Sequence, residues 1–434
     1  MYKLNPVSAA AILAVTLSAG VVAAPLDGLE HAEQQAISSL SRSVLSMEDA
    51  VRLALASDDP YLLEPGQRAS AFEERAVSDS QLPDPKLRLN FANWPTNSFS
   101  YSQEPMTQVQ LGVSQAFPKG DTLKFRRGKR QAQARGERHR FELRRREVVL
   151  DTRLNWLELQ YWAQASSKVR ESRQAVAELI EVVQAIYATG RETSQDILRA
   201  ELELSLLDDR LVEIGRKSSI ARANLSRRIG DTAANREVSS SLPAMKHPSE
   251  VTAIIELLEQ HPAAKVFAAR VDVADKDVDI AGEQKKPGWS VNLGYGARGG
   301  DRADFATLGV VMDVPLFTKN RQNREIAAAK KSRQASRLSR DTVLLDLRKN
   351  LHVTFADWTR LRERVSLYQS VVLKRAKDTT EASLSSYQSG VTDFPELVRA
   401  RLAELDAELS LLRLHRDRLK AQAQLLFLEG ENNA

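Results

Sequence analysis

Apolar residues recur at two different periods along this chain, and each period predicts its own element. From Trp289 every second position is apolar: Trp289, Val291, Leu293 and Tyr295 lie opposite Ser290, Asn292, Gly294 and Gly296. A second run sets Ala306, Leu308, Val310, Met312 and Val314 against Thr307, Gly309, Val311 and Asp313. Earlier, Leu87, Leu89 and Phe91 oppose Arg88 and Asn90, while Val109, Leu111 and Val113 oppose Gln108, Gln110, Gly112 and Ser114. Period two with one apolar and one polar or glycine face predicts strands at about 86–92, 107–117, 288–297 and 304–314. Such strands suit either a half-buried soluble hairpin or an outer-membrane barrel with a wet interior. The stretches joining them, "ANWPTNSFSYSQEPMT" and "RGGDRAD", are polar and turn-rich.

Elsewhere the period is longer. Leu143, Leu150, Leu154, Leu157 and Tyr161 are spaced by seven, four, three and four, and Ile197, Ala200, Leu204, Leu207, Leu211 and Ile214 alternate three and four. Leu344, Leu347, Leu351, Thr354, Trp358, Leu361, Val365, Tyr368 and Val372 do the same, followed by Leu402, Leu405, Leu409 and Leu412. Heptads sustained like this predict coiled-coil helices, at about 119–187, 194–229, 319–387 and 394–429. At about 1.5 Å per residue the first would be on the order of 100 Å long, so these helices describe a rod or tube. Two shorter helices, about 46–57 and 250–260, each precede a longer one that stops at a proline before the first strand of its pair.

That shared order is a duplication. "ALASDDP" ending at Pro60 corresponds to "LLEQHP" ending at Pro262, and "LPDPKLRLNF" around Pro85 to "KKPGWSVNLGY" around Pro287. "LGVSQAFP" ending at Pro118 corresponds to "LGVVMDVP" ending at Pro315, and "YATGRETSQDILRAEL" from Tyr187 to "YQSGVTDFPELVRARL" from Tyr387. The four offsets are 202, 202, 197 and 200. A period near 200 is far longer than a solenoid repeat, so each copy is a substantial unit. The copies are assigned to 25–230 and 250–430, with 231–249 as a polar linker.

The 434 residues are 27% charged and 42% hydrophobic, a folded composition, and the aromatic share of 6% favours helices over a sandwich. Residues 1–24 combine Lys3, an apolar core from Val7 to Leu17 and small residues before Pro25, as a cleaved signal peptide does. "LSAG" at 17–20 is followed by Val21 where lipid attachment would need cysteine. With no cysteine in the chain, disulfides, thiolate metal sites and cysteine nucleophiles are excluded. No later segment is apolar for 18 residues, so entry into a membrane would require a closed β-barrel. Four strands leave sheet edges unpaired and small outer-membrane barrels have eight or more, so a membrane reading demands an oligomer.

The duplicated order, "LPDP" at 82–85, "LGVSQAFPKG" with "LGVVMDVPLF", and the paired turns at Tyr187 and Tyr387 resemble the TolC family of outer-membrane efflux factors. Chain length and "LPDP" are most like its heavy-metal, CzcC-like branch. The resemblance implies a mainly α fold with a small β part, in which a homotrimer forms a 12-stranded barrel continued by an α-helical periplasmic tunnel. It implies the outer membrane of a Gram-negative bacterium, in contact with its lipid, and no N-terminal lipid anchor. Its partners would be a periplasmic adaptor (membrane fusion) protein and an inner-membrane RND pump. The implied function is passive conduction of substrate, heavy-metal cations in that branch. Drug efflux or type I protein secretion use the same fold, and a soluble periplasmic coiled-coil scaffold is the alternative outside the membrane.

In that family the two helical turns form the tip that meets the adaptor. The positions carried over are Gly190, Ser194 and Ile197 in the first copy, and Gly390, Val391, Phe394 and Leu397 in the second. Val391 and Phe394 are expected as exposed apolar residues seeking a partner. "TSQD" (Thr193, Asp196) and "DFPE" (Asp393, Pro395, Glu396) read as helix caps. Pro118 and Pro315 are expected to mark the passage from barrel to tunnel. Between Phe125 and Arg146 about ten basic residues face two acidic ones, which reads as a solvated face, able to attract anionic headgroups, and not as a nucleic-acid site. Six scattered histidines and the pairs Asp58/Asp59 and Asp208/Asp209 suggest neither a metal site nor catalysis, so no enzyme and no cofactor are expected.

Overall fold

A computed structural model describes residues 44–187 and 194–430; the expected signal peptide and Gly190 lie outside them. The first copy runs α1 (Met47–Ala56), α2 (Pro60–Ser78), β1 (Lys86–Ala92), β2 (Gln108–Phe117), α3 (Thr122–Tyr187) and α4 (Ser194–Ile229). A short α5 (Asp231–Ala234) follows. The second copy runs α6 (Val251–Leu257) with a 3-10 turn, α7 (Pro262–Glu283), β3 (Gly288–Arg298), β4 (Phe305–Asp313) and α8 (Gln322–Leu367). A π turn at Tyr368–Val372 joins α8 to α9 (Leu373–Gln388), and α10 (Phe394–Glu429) returns.

The short helices begin where sequence chemistry stops the preceding chain. Ser46 Oγ accepts from the Asp49 amide at 3.0 Å, and Asp59 accepts from Tyr61 N at 3.0 Å with Pro60 occupying the first helical position. His261 does the same in the second copy: its Nδ1 accepts from Ala263 N at 3.2 Å and its Nε2 meets the Phe427 carbonyl at 3.3 Å. Burial, then the nearby Arg146, pushes the His261 pKa down to about 4, against the opposing pull of the Phe427 carbonyl.

The 66 residues of α3 extend about 100 Å. The sheet sits at its first end, because β2 runs into it, and α4 begins seven residues beyond its last, Tyr187. The 36-residue α4 and α10 return only about 54 Å, roughly half that length. Mid-rod, the chain therefore needs other cover, which α1 and the 231–249 stretch supply. Trp156, Leu157, Leu225 and Ile229 pack there with Leu45, Met47 and Ala50, and the Trp156 indole donates to Leu45 O at 3.1 Å. In the second copy Ile254 and Leu258 pack on Leu351, Trp358 and Leu425.

The 231–249 stretch is thus more than a linker. Gln160 donates to the carbonyls of Ser239 and Ser241, and Gln422 to those of Met245 and Lys246. Val238 bridges Leu45 in parallel. Gln164 donates likewise to Ser240 O at 2.7 Å, so glutamines from both copies clamp the stretch along the rod.

The π turn answers a slip in the heptads. Leu361, Val365 and Tyr368 keep the three-four spacing, but beyond it the residues facing inward are Ala376, Thr380, Ser383 and Tyr387, one position late. An extra residue absorbed in one wide turn restores the seam.

Candidate functional site

The strands form one antiparallel sheet in the order β1-β2-β3-β4. Its register aligns the alternation across all four: Leu87, Val113, Leu293 and Leu308 make one cross-strand row, and Leu89, Leu111, Tyr295 and Ala306 the next. The other face carries the rows Arg88, Gly112, Gly294, Thr307 and Lys86, Ser114, Asn292, Gly309. Among the described residues nothing covers the apolar face, where Leu87 is 74% exposed and Leu308 73%, and no strand pairs with the outer edges of β1 and β4. Strands of 10, 11 and 9 residues in β2, β3 and β4 match the ~9–11 that a tilted transmembrane strand needs. Rings stand at both ends of that face. Phe117 stacks on Trp289 with centroids 4.1 Å apart at the base, and Trp94 lies 5.7 Å from Phe91 and 5.6 Å from Tyr101 at the top. No described helix is long and apolar enough to cross a membrane.

Pro118 directly follows β2, and Pro315 lies between β4 and α8. Without an N–H, proline cannot extend a ladder, so each strand ends there. The first passage is locked by Glu283 at the end of α7. Its Oε2 accepts from Asp121 N at 2.6 Å and pairs with Lys286 at 2.8 Å. Burial raises the Glu283 pKa, but the Lys286 and Asp121 hydrogen bonds outweigh it and hold the carboxylate below its ordinary value. Gly120, at φ +49°, is required here: a Cβ would stand 1.9 Å from Glu283 Oε2.

The basic run after Phe125 keeps a solvated side, with Arg126, Arg127, Arg135 and Arg138 exposed, but half of its cations also reach carboxylates on neighbouring elements. Lys129 pairs with Asp277, Arg130 with Asp79, Arg135 with Asp272, Arg138 with Glu73 and Arg144 with Glu64. These carboxylates come from α2, its C-cap and α7, so the run stitches α3 to its neighbours. Individually such partly exposed pairs contribute little, about 0–1 kcal/mol each. Other rod faces stay open: Leu198, Leu202, Leu206 and Val212 are exposed along α4, and Leu338, Leu345 and Val353 along α8.

At the far end the chain turns between α9 and α10. Gly390 has φ +73°, and Val391 N donates to Ser386 O at 2.9 Å. Val391 is 77% exposed. Phe394 is not: it is 0% exposed, and Leu397 only 2%. Phe394 packs with Val183, Ala200 and Val398, its ring 5.7 Å from that of Tyr387. The expectation that Phe394 projects from the tip is therefore overturned, because the first turn of α10 closes the core between α3 and α4. Ile197 is half-buried against the same cluster, while Ser194 at the start of α4 is exposed. Asp393 makes no side-chain cap, and Glu396 pairs with Arg399 at 2.8 Å, so the expected capping box is absent at this turn. The spacing of "DFPE" could not show this, since Phe394 is the first helical residue and its direction depends on the neighbouring helices.

Residues 253–431 match the model of the outer membrane efflux protein family. No curated protein matches the chain in sequence. Among solved structures it is similar to the Campylobacter jejuni CmeC outer membrane channel, with 13% identity and a TM-score of 0.75 over 88% of this chain and 85% of that one. The Vibrio cholerae outer membrane protein VceC gives 17% identity and 0.75, over 88% and 96%. The open-state Neisseria gonorrhoeae MtrE outer membrane channel gives 14% and 0.70, over 88% of each. At these identities the likeness is one of fold, and the chain has the TolC-like outer-membrane channel fold.

Proposed function

We propose that the protein is the outer-membrane exit duct of a tripartite efflux system. The observation that carries this is the sheet whose apolar face and two edges are both open. In lipid each unpaired edge group costs several kcal/mol, so the four strands are stable there only inside a closed barrel. Three copies, each giving four strands, close a 12-stranded barrel, and their α3, α4, α8, α9 and α10 continue it as a tunnel through the periplasm. The exposed leucines of α4 and α8 then become seams between copies. Residues 1–24 are removed on export.

Substrate enters at the tip from a periplasmic adaptor fed by an inner-membrane RND pump, and leaves passively through the barrel. Gly390, Val391 and Ser194 are the residues assigned to the adaptor, with Ile197 at the same end. Likeness to the heavy-metal branch makes metal species the first cargo to test. Fractionation tests the duct. The mature protein should appear in the outer membrane as a trimer that resists detergent and dissociates on heating; a wholly soluble periplasmic protein would establish the coiled-coil scaffold instead. Metal and drug sensitivity of a deletion strain then separates the cargo classes.

A further inference from the structure

The polar face of the sheet carries an unbalanced charge. Lys86 and Arg88 stand on it in β1, both exposed, with no carboxylate partner among the described residues. At its base, Lys119 lies over Gly288, its Cγ 3.1 Å from where a Cβ would stand, and Asp313 Oδ2 is 3.8 Å from the same point. A cavity of about 370 Å³ opens there between Ala116, Ser290 and Val311, with Lys119, Arg126 and Asp313 on its walls. At the opposite end Arg298 is engaged by the carbonyls of Ala303 and Pro105 and stacked on Phe305, and Asp304 lies against its backbone, so that pair contributes no net charge. Four cations, Lys86, Arg88, Lys119 and Arg126, thus stand against two carboxylates, Asp313 and Asp84, the latter two residues before Lys86 at the same end, and leave an excess of two positive charges per copy. Asp313 and Asp84 both lie at the Lys86 end of the sheet, so closure between copies can neutralise no more than the two cations already subtracted.

We infer that the barrel of this duct favours anions, so that its cargo is anionic. Resting on the duct proposed above, this inference takes the polar face as the wall of a water-filled pore. Fixed cations in such a wall concentrate anions and exclude free cations, as rings of Arg and Lys do in anion pores. A metal would then pass as an oxyanion or an anionic complex more readily than as a bare divalent cation.

The test is ion selectivity of the full-length assembled protein in planar lipid bilayers under a KCl gradient of about 0.1 M to 0.01 M, where the Debye length is ~10–30 Å. The reversal potential should give chloride the greater permeability. K86E/R88E changes each wall to two cations against four carboxylates, and the chloride-to-potassium ratio should fall by roughly tenfold, towards or past unity. K86Q/R88Q, which removes charge without adding carboxylates, should fall between the two and guards against a misfolded reversal variant. A conducting wild-type channel that prefers potassium, or a ratio unmoved in both variants, overturns the inference and leaves the duct standing. Assembled protein that conducts nothing overturns the duct itself.

Discussion

Replacing Phe394 by alanine separates the two roles that the tip residues could play. The side chain is 0% exposed and lies in a core with Val183, Ala200 and Val398. Removing a buried phenylalanine costs about 3–5 kcal/mol, from lost burial and the cavity left behind. Val391, one turn earlier and 77% exposed, should change stability by less than about 0.5 kcal/mol when truncated. Hydrogen exchange reads this locally, because the amides of Val391 and Thr392 are held by the Ser386 carbonyl and open when the turn opens. In Phe394→Ala those amides should exchange roughly 10²-fold faster or more, since each 1.4 kcal/mol is about a factor of ten. Val391→Ala should exchange as the parent does and instead weaken adaptor coupling. The reasoning fails if Phe394→Ala leaves exchange unchanged while abolishing export, which would make Phe394 a contact residue after all.

Substitutions in the sheet and at His261, and two single-residue deletions in the rod, supply three further tests. Leu308→Arg, on the open apolar face, should cost about 2–4 kcal/mol per copy in lipid and reduce the heat-modifiable trimer, whereas Thr307→Arg on the polar face should leave it intact; equal effects would refute the assignment of faces. His261 has a folded pKa of about 4 against an ordinary 6.5, so its contribution is fully present above pH 6.5 and is lost as pH falls towards 4. That amounts to about 3 kcal/mol, and His261→Asn should flatten this part of a stability-against-pH curve; an unchanged slope would discard the role of His261. Deleting Ser370 from the π turn brings Leu373, Ala376, Thr380, Ser383 and Tyr387 back to three-four spacing, so melting temperature should hardly move. Deleting Lys349 instead drives Leu351, Trp358 and Val365 out of the seam and should destabilise by several kcal/mol; similar losses from both deletions would refute the phase-slip account.

What could be read in advance follows from which forces act along one element and which act between elements. Alternation in "WSVNLGYGA" and heptads in 344–372 are local patterns, each with one period that suits it, so a mainly helical chain with a small antiparallel sheet was legible. The basic run at 125–146 was not, because its carboxylates, Glu64, Glu73, Asp79, Asp272 and Asp277, lie on segments far away in sequence. Phe394 misled for the same reason: three residues after Val391 it looks like part of the same exposed turn, yet as the first helical residue of α10 its side chain meets a core supplied by α3 and α4. The 231–249 stretch read as a polar linker because serines and prolines carry no period, and the donors that hold its carbonyls, among them Gln160, Gln164 and Gln422, lie on helices distant in sequence. The slip at Tyr368–Val372 lay within reach, since the inward positions step four, four and four from Tyr368 to Thr380 where three was due, but a reading that stopped at Val372 passed it by. The polar face of the sheet shows the same division. Arg88 could be placed opposite Leu87 and Leu89 from alternation alone, whereas its summation with Lys119 and Arg126 into one charged wall needed the register of all four strands and the cavity beneath them.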